Sequence, residues 1–176
     1  MNILLADDHR ILRTGLKLLL ASQDDCHVVA EASNGQEVLE RLEDTPVDVV
    51  LLDLSMPVMN GIDCLREIRR RRYDVKVLVL TMYSEQQYVT ELMQLGADGY
   101  LCKDTLDAEL FKGLRSVVSG HRYLSEREAR SLLDGVLDGA KVHALAIADL
   151  LGPACLLRCD RIGRQRGGLG LHLRDG

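Results

Sequence analysis

Along the first 120 residues, short and nearly unbroken apolar runs alternate with longer stretches whose apolar residues recur every three or four positions. The runs lie near residues 2–7, 26–32, 47–52, 75–80 and 99–102 and have strand length. The stretches between them have helical length and one apolar face. The first is Ile11 to Leu20, and the second follows Asn34, a predicted N-cap with Glu37 three residues on. The third follows the Met56-Pro57 to Gly61 loop and runs to about Arg72; the others span about 85–95 and 106–119. Five such units in series predict a parallel sheet wound right-handedly with helices on both faces. The third and fourth runs are almost wholly aliphatic, which places them at the centre of the sheet.

The pattern changes beyond residue 120. Ser125-Glu126-Arg127-Glu128 is a capping box that predicts a helix to about Leu137. A second apolar segment, Val142 to Leu151, stops at Gly152-Pro153, and Gly163 to Gly176 is rich in Gly and Arg and predicted to be poorly ordered. The expected organisation is therefore a domain over 1–120, a linker helix over 121–140 and a tail over 141–176.

Chemistry gathers at the carboxyl ends of the predicted strands. Asp7 and Asp8 end the first, Asp53 the third, Thr81 the fourth and Lys103 the fifth. Open α/β sheets place their sites at that edge. Three carboxylates converging there would hold a hard divalent cation with oxygen ligands, Mg²⁺ in particular. Asp53 is the candidate nucleophile, because a carboxylate can take a phosphoryl group as an acyl phosphate. Taken singly, each acid could be a strand-end cap and Lys103 a surface residue; the expectation rests on all five occurring in register.

These residues, with Met56-Pro57, Gly61 and Gly96-Ala97-Asp98-Gly99-Tyr100, resemble the receiver domain of two-component response regulators. Leu80-Thr81-Met82-Tyr83, Tyr100-Leu101-Cys102-Lys103-Asp104 and the run from Ser116 to Ser125 are similar to its NarL/FixJ-like subgroup. The resemblance covers about residues 1–120 and implies a flavodoxin-like, five-stranded doubly wound sheet. It implies phosphorylation of Asp53 by a sensor histidine kinase, with Mg²⁺ held by Asp8, Asp53, the Ser55 carbonyl and, through water, Asp7. It further implies that Lys103 and Thr81 bind the phosphoryl oxygens and that Tyr100 turns inward in response; otherwise Tyr100 is a half-buried strand aromatic. Met82 stands at the pocket mouth, and Ser55 and Tyr83 occupy positions that tune phosphoryl lifetime. A phosphorylation-dependent homodimer is implied, as is transcriptional control through DNA. The subgroup's helix-turn-helix motif is not found here, so the tail reads as a frameshifted, truncated or degenerate output region.

Charge and composition narrow the alternatives. Residues 1–120 hold 13 Lys/Arg against 20 Asp/Glu, which suits a cation site and not nonspecific DNA binding; residues 141–176 hold 6 against 3. No apolar run reaches membrane-span length and no signal-peptide pattern opens the chain, so a cytoplasmic protein without membrane contact is expected. The 5 Cys lack framework spacing, which predicts free thiols; Cys155 and Cys159 with His143 and His172 fit no compact zinc site. Arg69 to Arg72 reads as a solvated basic run complementing a helix C-terminus. A stand-alone receiver acting as phosphoryl sink or protein-interaction switch remains the alternative function. An aspartyl phosphatase of the haloacid dehalogenase class would need an acid at position 55, where Ser55 stands. A nucleotide- or flavin-binding domain would need a phosphate loop where Asp7-Asp8-His9 stands. The expectation is a regulatory domain and not an enzyme acting on other substrates.

Overall fold

The computed structural model describes residues 1–82 and 86–125, together with Ala129. The expectations for Tyr83, for residues 126–128 and for the tail fall outside the described residues. Strands and helices alternate: β1 (Asn2–Ala6), α1 (Arg10–Leu20), β2 (His27–Ala32), α2 (Gly35–Asp44), β3 (Val49–Asp53), α3 (Gly61–Arg70), β4 (Lys76–Thr81), α4 (Gln86–Gln94), β5 (Gly99–Cys102) and α5 (Leu106–Val118). A 3₁₀ turn, Lys103–Thr105, joins β5 to α5. With a further short strand, β6 (Tyr123–Leu124), the strands order as β2-β1-β3-β4-β5-β6, every neighbouring pair parallel. This is the doubly wound flavodoxin-like arrangement, with its switch point between β1 and β3.

One strand exceeds the expected five. β6 (Tyr123–Leu124) pairs with β5 at Gly99 and Tyr100, inside the segment read as linker. Its position depends on room that sequence pattern does not reveal. A Cβ on Gly99 would meet the Tyr123 carbonyl at 3.1 Å, and one on Gly113 would meet the Tyr123 ring at 3.2 Å. Just beyond, the Ser125 carbonyl accepts the Ala129 N–H at 3.0 Å, a helical bond where the capping box is predicted.

Side chains alternate between two cores, as the pleat requires. Leu4, Val50, Leu52, Val77, Val79 and Tyr100 pack against Val38 and Leu39 of α2, Leu65 and Ile68 of α3, and Leu92 and Met93 of α4. Ile3, Leu5, Leu51, Leu78, Leu80 and Leu101 pack against Leu16 and Leu20 of α1 and Leu110, Leu114 and Val117 of α5. Fully burying each such side chain contributes about 1.5–3 kcal/mol, so the two layers hold the sheet's position firmly. Cys26, Cys64 and Cys102 are buried free thiols, and burial pushes Cys64 up to about 12. Among the described residues no helix is long and apolar enough to cross a membrane.

Helix ends follow local chemistry. The Asn34 side chain accepts the Glu37 N–H at 3.0 Å. Glu37 reaches back to the Ser33 N–H at 2.8 Å, one residue earlier than a capping box requires. Asn60 caps α3 likewise, accepting the Asp63 N–H at 2.9 Å. The helix stops at Arg70, two residues short of the expected end. Arg72 turns left-handed at φ 58°, while the N–H groups of Arg72 and Tyr73 bond the carbonyls of Arg69 and Ile68.

Candidate functional site

Four of the strand-end positions singled out by the pattern meet at the carboxyl edge of β1, β3 and β5. β3 delivers Asp53 as its last residue, in register with Leu80 of β4. Asp7 follows β1, its N–H bonded to the Ala32 carbonyl of β2 at 3.2 Å. Lys103 follows β5 and spans the gap: its Nζ lies 2.7 Å from Asp7 Oδ2 and 2.9 Å from Asp53 Oδ2. All three side chains are at least nine-tenths buried. Asp8 is exposed at the mouth of the cluster, its Oδ1 2.9 Å from His9 Nδ1. Thr81 ends β4 in register with Cys102 and is buried.

Gly61 makes the close packing at Asp53 feasible. A Cβ there would fall 2.1 Å from the Asp53 carbonyl oxygen, so α3 abuts the end of β3 only because residue 61 has no side chain. The expected loop glycine is thus needed for space. The left-handed residue of that loop is the exposed Val58, at φ 65°.

Charge in the pocket is not balanced. Three carboxylates face one ammonium, and burial pushes the Asp53 carboxyl above its ordinary value despite Lys103 beside it. Burial would lower Lys103, but its hydrogen bond to Asp7 and the adjacent Asp53 carboxylate outweigh that and hold the ammonium above its ordinary value. Asp53 Oδ2 is buried with no aligned hydrogen-bond donor, although Lys103 Nζ is near. Ligand atoms of Asp7, Asp8, His9 and Asp53 all lie within 4.8 Å of one another. The three carboxylates within that cluster, with their excess negative charge, fit a hard divalent cation that takes oxygen ligands.

Two residues near the acids escaped the strand-end pattern. The His9 N–H caps Asp7 Oδ1 at 2.7 Å, and its Nδ1 lies 2.9 Å from Asp8 Oδ1. Arg13, one turn into α1, donates from Nη1 to the Asp7 carbonyl. His9 follows the acid pair directly and Arg13 lies a turn further along α1, and that nearness is the only signal they leave. Of the remaining expected residues, Ser55 is exposed just after β3 and Met82 is 65% exposed just after β4. Tyr100 is fully buried in the core facing α4, not half-buried.

The basic run at the end of α3 divides. Arg70 and Arg71 are exposed and pair with Glu67, as a solvated face does. Arg69 instead reaches under the sheet to Asp98 at 2.7 Å.

The family model for the response regulator receiver domain matches residues 3–115. The response regulator UvrY of Escherichia coli (strain K12) is 39% identical over 144 residues, covering 82% of this chain and 66% of UvrY. The nitrate/nitrite response regulator protein NarL of the same strain is 41% identical over 124 residues, covering 70% of this chain and 57% of NarL. The chain therefore spans less than two thirds of the length of these relatives. Among solved structures, a two-component response regulator of the LuxR family from Aurantimonas sp. SI85-9A1 superposes with a TM-score of 0.74 at 30% identity. That match covers 78% of this chain and 98% of the other. The chain belongs to the response regulator receiver family, with NarL-type relatives.

Proposed function

We propose that this receiver is the phosphorylation switch of a two-component system, taking a phosphoryl group on Asp53 from a sensor histidine kinase. The observation that carries the reading is Asp53 itself. It is a buried carboxylate held 2.9 Å from an ammonium in a pocket with surplus negative charge. An Asp53 oxygen attacks phosphorus, the O–P bond forms, and the N–P bond to the kinase histidine breaks as its imidazole leaves. Lys103 then exchanges a carboxylate partner for phosphoryl oxygens, and the Thr81 hydroxyl supplies a further donor. Asp8 and Asp53, with Asp7 through water and the Ser55 carbonyl, would hold Mg²⁺, which supplies positive charge against the repulsion between acids and phosphoryl group.

The output proposed is a change in dimerisation or partner binding. Displacing Lys103 from Asp7 and Asp53 alters the cation that, among the described residues, ties the end of β5 to β1 and β3, and Tyr100 lies on that strand three residues earlier. Control of transcription follows from the kinship with UvrY and NarL, as does work in the cytoplasm. The domain acts on no substrate beyond its own aspartyl phosphate. The test is labelling with a small phosphodonor and Mg²⁺, followed by intact mass. The wild-type chain should gain one phosphoryl group and Asp53→Asn none; persistent labelling of Asp53→Asn would refute the assignment.

A further inference from the structure

The turn between β1 and α1 has to present two consecutive carboxylates to one point. Consecutive side chains leaving a strand point to opposite sides, so the peptide joining Asp7 and Asp8 must be held in one orientation for both to converge. The His9 N–H holds one side of it through Asp7 Oδ1 at 2.7 Å. The Arg13 guanidinium holds the other, donating from Nη1 to the Asp7 carbonyl oxygen. Arg13 is itself fixed at both ends. Its backbone N–H bonds the His9 carbonyl at 3.1 Å, and its Nε bonds Glu31 Oε2 on the edge strand β2 at 3.3 Å. Glu31 is held in turn by Lys17 at 2.5 Å, and only 17% of the Arg13 side chain is exposed.

This is an unusual use of a cation beside an acidic pocket. A guanidinium next to three carboxylates is expected to pair with one of them, which would compete directly with a divalent ion. Here its donors go to a backbone carbonyl and to an acid outside the cluster. Its charge opposes cation binding weakly, while its fork geometry fixes the ligands. A lysine has no such fork and cannot hold the carbonyl and Glu31 in two fixed directions.

We infer that Arg13, anchored on Glu31, is a positioning residue for the cation site, setting the Asp7–Asp8 peptide so that both carboxylates face Asp53. The inference rests on the proposed cation site, and the experiment separates the two. Mg²⁺ is titrated calorimetrically into the full chain and into Asp8→Asn, Arg13→Met and Arg13→Lys, with urea midpoints recorded for each. If Asp8→Asn leaves Mg²⁺ binding unchanged, the cation site is wrong and the role of Arg13 falls with it. If Asp8→Asn weakens it, Arg13 decides the rest. Electrostatics alone predicts that removing a positive charge tightens Mg²⁺ and that Arg13→Lys changes nothing. Positioning predicts the opposite sign: weakening of about tenfold in Arg13→Met and a smaller weakening in Arg13→Lys. Unchanged or tighter binding in Arg13→Met overturns the inference. Should that variant fail to fold, Arg13→Lys decides alone, since unchanged affinity there overturns it equally.

Discussion

Both ends of this sheet carry half-buried or buried ion pairs, and they are built to opposite standards. At the amino edge of β4 and β5, Asp98 accepts from Arg69 at 2.7 Å and from the Val77 N–H at 2.8 Å, with Lys76 at 3.5 Å. Arg69 also donates to the Gly96 and Val75 carbonyls, so cation and anion are both satisfied. At the carboxyl edge, Lys103 is shared by two acids, a third stands beside them, and Asp53 Oδ2 has no aligned donor. One end joins α3 to β4 and β5; the other keeps an unmet demand for positive charge. A fold can carry such local frustration only where the rest is consistent, and here the two aliphatic layers provide that consistency.

The contrast breaks most easily at the satisfied end. Arg69→Met leaves Asp98 half-buried without its main partner and frees two carbonyls, and should cost about 2 kcal/mol of stability. A lower urea midpoint with an unchanged m-value checks this; a midpoint equal to wild type would show that the amino-edge network contributes nothing. Asp53→Asn should act in the other direction. In metal-free buffer it removes a carboxylate whose burial is poorly compensated and should stabilise the fold by about 1 kcal/mol. Adding Mg²⁺ should raise the wild-type midpoint and not the variant's, because only a chain that binds the ion gains from it.

The smallest effect is a pair of opposite pH dependences. The backbone N–H of Ser33 holds the Glu37 carboxyl below its ordinary value of 4.5. Glu37 therefore contributes stability that is complete above 4.5 and lost as pH falls through its lowered value. Asp53 is pushed above 3.8 by burial, so its favourable contribution is complete below 3.8 and lost as pH rises through the raised value. Carboxyl-carbon NMR titration of metal-free protein should find Glu37 below and Asp53 above these reference values. The same direction for both would erase the distinction between a capped and a frustrated acid.

Much of this was legible in the chain itself. Five alternations of strand and helix period placed the elements to within a residue or two, because each helix must cover one face of a sheet and each strand must be buried. Asn34 with Glu37 marked a helix start, because a cap acts over three residues. Asp7, Asp8, Asp53, Thr81 and Lys103 stand out because each falls at the carboxyl end of an apolar run of strand length. Arg69 was not separable from Arg70 and Arg71, since its partner Asp98 lies 29 residues away. Gly99 and Gly113 have no visible purpose in the sequence pattern; it emerges only with Tyr123 against them.

Local pattern, then, determined the order of elements, the central place of β3 and β4, and which polar residues stand at strand ends. Only the tertiary structure decided that Lys103 bridges Asp7 and Asp53 across 96 and 50 residues of chain. It alone joined β6 to β5, buried Tyr100 and tied Arg13 to Glu31 of β2. The physical reason is that propensity and periodicity act within a turn or a strand. Charge pairing and steric room depend on which distant segments the right-handed crossovers bring together.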